Sequence, residues 1–152
     1  MANVLVVTNM YPPHHYGGYE LVCEEAVEEL RRHGHRVEVL TADFRVAGRP
    51  DDHDPDVHRD LHVYWDDHAL VSPPLRQRLR WERDNQKALR SALRRSRPDV
   101  VSVWAMGAMS LGLLTALERT GVRTLCFVND NWLVYAPALD AWTRVTTRLG
   151  PL

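Results

Sequence analysis

Five short apolar runs rich in β-branched residues recur along this 152-residue chain, and the segments between them carry apolar residues at helical spacing. The runs are Asn3 to Thr8, Arg36 to Thr41, Leu61 to Trp65, Val100 to Trp104 and Val122 to Val128. Each predicts a strand, and the unbroken apolar character of the first predicts burial on both faces, as in a parallel sheet. From Tyr19 to His33 the residues Leu21, Val22, Ala26, Val27 and Leu30 line one helical face; acids crowd the first turns, Arg31 and Arg32 the last, and Gly34 stops the helix. Pro73-Pro74 opens a longer helix running to about Arg97 and ended by Pro98. Met109 to Thr120 predicts a third helix, closed by Gly121, and Trp132 to Leu149 a weaker fourth, ending at Gly150-Pro151. Parallel strands need crossovers, so the alternation predicts an α/β fold, a three-layer sandwich with a parallel sheet of about five or more strands, as one domain over residues 1–152. The default strand order is 3-2-1-4-5, which reverses between strands one and four, and ligands bind at that reversal. The loops Asn9 to Glu20, Ala105 to Ser110 and Val128 to Trp132 open there.

Composition excludes other classes. Apolar residues make up 45% and charged residues 26% of the chain, and the net charge is −1, which fits a globular domain and rules out a disordered, collagen-like or disulfide-stapled chain. Cys23 and Cys126 are too few for a disulfide framework and predict reduced, buried thiols in a cytoplasmic protein. The apolar run Val4 to Val7 is too short for a secretory signal. Val100 to Leu117 carries no charge over 18 residues, the lower length for a membrane span. Ser102, Gly107, Ser110, Gly112 and Thr115 interrupt it, so it reads as strand, turn and buried helix.

The near-neutral total hides two opposed regions. Seven aspartates lie between Asp51 and Asp67 against Arg59, and nine bases lie between Leu75 and Arg97 against Glu82 and Asp84. Within the long helix, Arg76, Arg80, Arg83, Lys87, Arg90, Arg94 and Arg97 form a continuous basic stripe beside Leu75, Leu79, Leu89 and Leu93, which are expected to pack on the sheet. Such a stripe suits a solvated face and leaves open peripheral contact with anionic lipid headgroups at an inner membrane face. Nucleic acid is not expected as a partner, because aromatic interleaving is missing and the total charge is not basic. His53, His58, His62 and His68 lie among the aspartates, but no metal-site spacing is present, so no metal is expected.

Gly17-Gly18 stands at the start of the first helix, where free N–H groups and the positive dipole end suit an anion and glycine allows close approach and positive φ. A tight strand-to-helix turn accounts for the same pair equally well. Glu20 reads as a capping residue or as a hydrogen-bonding group for a hydroxyl-rich ligand.

The loop from Tyr11 to Glu20 (YPPHHYGGYE), the helix after it and the segment Arg32 to Thr41 (RHGHRVEVLT) resemble the opening of the GT4 family of retaining glycosyltransferases. Arg97-Pro98-Asp99-Val100-Val101 and Val128-Asn129-Asp130 are similar to two later motifs of that family, so the resemblance spans essentially the whole chain. It implies a Rossmann-like domain that forms the N-terminal, acceptor-binding half of a two-domain GT-B enzyme, with the C-terminal donor-binding domain absent from this chain and the chain inactive alone. The implied reaction moves a sugar from a nucleotide-sugar to a hydroxyl on a small-molecule or lipid acceptor, with no cofactor or metal. Carried over, Gly17 and Gly18 reach the donor diphosphate, and Asn129 and Asp130 orient sugar hydroxyls at the catalytic position. The crevice loops supply His14, His15, Tyr16, Tyr19, Glu20, Trp104, Met106 and Trp132 as candidate acceptor-binding residues. Asn129 stands where many family members carry histidine, and an amide cannot take up a proton, so proton shuttling is not expected of it. A turn that uses Asn and Asp for local backbone bonds explains Asn129 and Asp130 equally well. Two other functions share the fold. A dinucleotide-binding oxidoreductase would find an acid in Asp43, but G-x-G-x-x-G is missing. A non-catalytic ligand-binding module is the other.

Overall fold

In the computed structural model, which describes residues 1–51, 53–66 and 68–143, the first strand β1 (Asn3–Val7) lies in the middle of a five-stranded parallel sheet. It pairs with β2 (Arg36–Ala42) on one side and β6 (Val100–Val103) on the other. The next strands out are β3 (Val57–Leu61) and β7 (Arg123–Cys126), giving the order β3-β2-β1-β6-β7. Counted over sheet strands this is 3-2-1-4-5, the expected Rossmann-like arrangement. The period-two rule for strands then explains the core. Val4 and Val6 pack with Cys23 and Val27 of α1 (Tyr19–Arg32) on one face. Leu5 and Val7 pack on the other with Leu89 and Ala92 of α2 (Leu75–Ser96) and Leu113 and Leu117 of α3 (Gly112–Glu118). Burial on both faces is why β1 reads as an unbroken apolar run. No helix among the described residues is long and apolar enough to cross a membrane.

Four expectations need correction. The run Leu61 to Trp65 is not the third strand; that strand is the more polar Val57–Leu61. Beyond it the chain leaves the ladder because its backbone groups find other partners. Buried Asn85 of α2 accepts from the His62 N–H at 2.7 Å and donates to the His62 carbonyl at 3.2 Å, and the Tyr64 N–H donates to the Ala108 carbonyl at 2.8 Å. The chain then forms a small antiparallel hairpin of β4 (Trp65–Asp66) and β5 (Ala69–Leu70). Second, Leu75 and Leu79 do not pack on the sheet but are 61% and 40% exposed; it is Arg78 of the same turns that points inward, donating to the Ala141 carbonyl and lying over the Trp142 ring. Third, Cys126 is exposed, unlike buried Cys23. All of β7 is exposed, and it is the outermost strand on its side of the sheet. Fourth, the predicted helix from Trp132 is interrupted: α4 spans Trp132–Leu139, and the backbone is extended at Asp140. The Asp140 carboxylate accepts from the Trp142 and Thr143 N–H groups, starting a new turn. Residues 144–149 of the predicted helix, and Asp52 and Asp67 of the acidic run, lie outside the described residues.

Candidate functional site

The sheet order reverses between β1 and β6, and a crevice of about 340 Å³ opens at their carboxyl ends, as such a sheet requires. Its floor is the loops after the two strands. Asn9 follows β1, and its side-chain amide donates to the Gly107 carbonyl at 3.1 Å, joining the two loops. Gly107 and Ala108 follow β6, Trp65 and His68 come from the hairpin, Tyr16 and Glu20 from the head of α1, and Tyr135 from α4. Ala108 (φ 58°) and His68 (φ 59°) sit in the left-handed region without being glycine. Such strained residues concentrate where a site must be held in shape. Tyr16 stacks on His68 with ring centroids 4.3 Å apart and meets Phe44 edge-on at 5.1 Å, forming an aromatic rim.

The head of α1 is built around Glu20, which is 7% exposed and whose carboxylate accepts the Gly17 N–H at 3.1 Å. A Cβ on Gly17 would stand 3.0 Å from that carboxylate, so any larger residue would have to push Glu20 aside by a few tenths of an ångström. The expectation of positive φ at this pair is corrected: Gly18 has φ −82°, and the positive-φ glycines among the described residues are Gly34, Gly48 and Gly121. One N–H of the helix head is therefore occupied by the chain's own acid. The open approach lies over Gly18, where a Cβ would meet nothing within 4 Å.

The structure brings only Tyr16 and Glu20 of the candidate acceptor residues into the crevice lining. His14 is buried with Nδ1 accepting the Val46 N–H at 3.1 Å, and His15 Nδ1 lies 2.9 Å from the Gly17 carbonyl oxygen. Met106 and Trp132 are fully buried in the core beneath the crevice. Trp104 lies on the opposite, α1 face, stacked parallel to Phe127 at 4.5 Å. Tyr19 bridges to the loop after β7: its hydroxyl donates to the Phe127 carbonyl at 2.5 Å and accepts the Asn129 N–H at 3.4 Å. Burial pushes this phenol up, so it remains protonated at neutral pH. Asn129 and Asp130 are on that same loop. Asp130 caps α4, accepting the Trp132 N–H at 2.9 Å and the Tyr135 hydroxyl at 2.7 Å. Both of its oxygens are thus engaged within the fold. Tyr135, raised by burial and by that bond to Asp130, carries this cap to the crevice wall.

Asn9, Trp65, His68, Gly107, Ala108 and Tyr135 escaped the sequence reading as site residues. Asn9, Gly107 and Ala108 lie in loops assigned to the crevice, so topology held the signal for these three. Trp65 and His68 depend on the hairpin, which the misplaced third strand concealed.

Two histidines of the acidic segment are tied to separate acids. His58 Nε2 lies 3.6 Å from Glu38, while His62 Nδ1 lies 2.7 Å from Asp43 and its Nε2 3.6 Å from Asp84. Among the described residues no group of three His, Cys, Asp or Glu side chains converges on one point. The hydrogen bond to Asp43, helped by the charges of Asp43 and Asp84, raises the His62 pKa above its ordinary value near 6.5, while partial burial opposes this. A raised folded-state pKa contributes stability fully below about pH 6.5 and loses it as pH rises through the folded value. Asp43→Asn is therefore expected to lower the denaturation midpoint more at pH 5.5 than at pH 8.5, by urea titration at both; an equal loss at the two pH values counts against the pair.

Residues 16–150 match the sequence profile of Glycosyltransferase Family 4. No curated protein matches the chain. With the profile covering most of the sequence and a parallel sheet whose order reverses beside the crevice, the chain belongs to Glycosyltransferase Family 4.

Proposed function

We propose that this domain is the acceptor-binding half of a retaining glycosyltransferase and holds the acceptor hydroxyl in the crevice between β1 and β6. The observation that carries the reading is the crevice lining: an aromatic rim, a buried acid at Glu20 and the amide of Asn9 meet at the switch point, a mixed set suited to a hydroxylated ligand. The donor is a nucleotide-sugar held by a second lobe, and its diphosphate approaches the head of α1 over Gly18. In the transfer the acceptor oxygen bonds to the anomeric carbon on the face from which the diphosphate departs, and the acceptor proton passes to the leaving diphosphate. Asn129 cannot take part in that proton transfer and instead presents an amide to sugar hydroxyls. The reading includes a metal-independent reaction at the cytoplasmic side and an isolated chain without turnover.

Titration of the chain with UDP-sugars, GDP-sugars and NAD tests this. Weak or undetectable sugar-nucleotide binding with no response to NAD is the expected result, and binding of NAD alone would overturn the reading.

Peripheral membrane contact belongs to the same proposal and rests on α2. All seven residues of the basic stripe from Arg76 to Arg97 are exposed, and Leu75 and Leu79 stand out beside them. Exposed leucines next to arginines suit a helix lying against anionic headgroups, which would bring a lipid acceptor to the site. Sedimentation with vesicles of phosphatidylglycerol and phosphatidylcholine is expected to pull the chain down at low salt and to release it in 0.5 M salt, about two-thirds or more of the bound chain. No binding to anionic vesicles at low salt would remove membrane contact from the reading.

A further inference from the structure

We infer that the acceptor carries at least two sugar rings, the second held in a separate cavity on the far side of Trp65 from the crevice. The inference rests on the acceptor-binding reading above and extends it. Trp65 lines the crevice and also lines a neighbouring cavity of about 610 Å³, so one indole forms part of the wall of both. That volume lies within the range of ~300–1,000 Å³ usual for small-ligand sites. The hairpin that bears Trp65 is fixed at its base, since the Tyr64 N–H donates to the Ala108 carbonyl at 2.8 Å and the Val71 N–H donates to the Tyr64 carbonyl at 3.1 Å. Ala108 is itself a crevice residue, so the two spaces are built on one scaffold.

The chemistry of the second cavity selects its occupant. Trp65 and Trp81 supply aromatic surface for the C–H faces of a pyranose, and Asp43, Asp66 and Gln77 supply acceptors and donors for its hydroxyls. Among the described residues two carboxylates stand there against the guanidinium of Arg45, a balance that disfavours a phosphate or other anion. The many polar groups disfavour a purely apolar tail, because entry would strip water from them without replacing its hydrogen bonds. A neutral, polyhydroxylated ring meets both conditions. Asp43 is also held in place by His62, whose ring in turn stacks on Trp81 at 5.2 Å, so acid and aromatic surface are positioned together.

The test is saturation-transfer NMR and affinity titration on the 152-residue chain with three pairs of probes: methyl α-glucoside and maltose, methyl α-mannoside and α-1,2-mannobiose, methyl β-galactoside and lactose. At least one disaccharide is expected to bind tenfold or more tightly than its monosaccharide, with saturation on both rings. Gln77→Trp, a surface substitution on α2 at a residue that lines the second cavity and does not line the crevice, is expected to erase that gain and leave monosaccharide binding unchanged. Disaccharides that bind no tighter than monosaccharides, a gain that survives Gln77→Trp, or no binding by any probe would each overturn the inference. A chain that takes up NAD alone fails the transferase reading itself; a chain that passes that titration but shows no disaccharide gain fails only the second-ring inference.

Discussion

Replacing Trp132 with alanine is expected to destabilise the domain by about 3–5 kcal/mol, the usual cost of removing a large aromatic residue from a packed core. Its side chain is fully buried among residues of the α2 and α3 face, and its indole N–H donates to the Phe127 carbonyl at 3.0 Å. In a domain of this size the loss corresponds to roughly 6–20 °C in the melting temperature. Trp132→Phe keeps a six-membered ring but loses the indole N–H and three ring atoms; the Phe127 carbonyl still accepts from the Tyr19 hydroxyl, so the cost is smaller, about 1–3 kcal/mol for one hydrogen bond and a small cavity. Thermal unfolding followed by circular dichroism separates the two variants. The sequence places Trp132 at the mouth of the crevice as an acceptor-binding residue, and that role makes a different prediction: lost ligand binding at an unchanged melting temperature. A Trp132→Ala variant melting within about 2 °C of the parent chain would contradict the core role.

Trp132 illustrates which parts of the fold the sequence carries. Strand β1 is legible because both of its faces are buried and every position from Val4 to Val7 is apolar, leaving no other element of that length to propose. The ends of α1 are legible because its charges match the helix dipole and Gly34 supplies the positive φ that stops it. Strand β3 is not legible. Its sequence, VHRDL, is held in the sheet by pairing with β2, while the more apolar stretch after it is drawn away by Asn85, a residue more than twenty positions further along the chain. Hydrophobic pattern does not encode a side chain that substitutes for a ladder partner. The candidate site divides on the same line. Tyr16 and Glu20 follow from a glycine-bearing loop at a known sheet position, whereas Trp104 and Met106 leave β6 on opposite sides, one to each core cluster, and a loop position alone does not say which side a residue takes.

Gly107→Leu is expected to empty the crevice of ligand while leaving the fold intact. Gly107 does not have positive φ, so its backbone accepts a side chain and only space decides the outcome. A Cβ there would lie 3.4 Å from the Tyr135 ring and 3.7 Å from the Asn9 amide nitrogen, a contact that a shift of a few tenths of an ångström relieves. The rest of a leucine side chain has to extend into the space that the acceptor would occupy. Crowding of this kind costs on the order of 1–3 kcal/mol, which as a loss of affinity is about 5- to 150-fold. The Asn9 to Gly107 hydrogen bond uses the main-chain carbonyl and survives the substitution, so the two loops stay joined. Gly18→Ala is the complementary variant. Its Cβ projects into open space and leaves the crevice unchanged, so it should spare acceptor binding and weaken only a ligand whose phosphate must come close to the head of α1. Titration of both variants with the tightest-binding sugar, alongside their melting curves, gives four values. Loss of sugar binding in Gly107→Leu with a normal melting curve locates the acceptor between β1 and β6, and equal sugar affinity in Gly107→Leu and the parent chain would place it elsewhere.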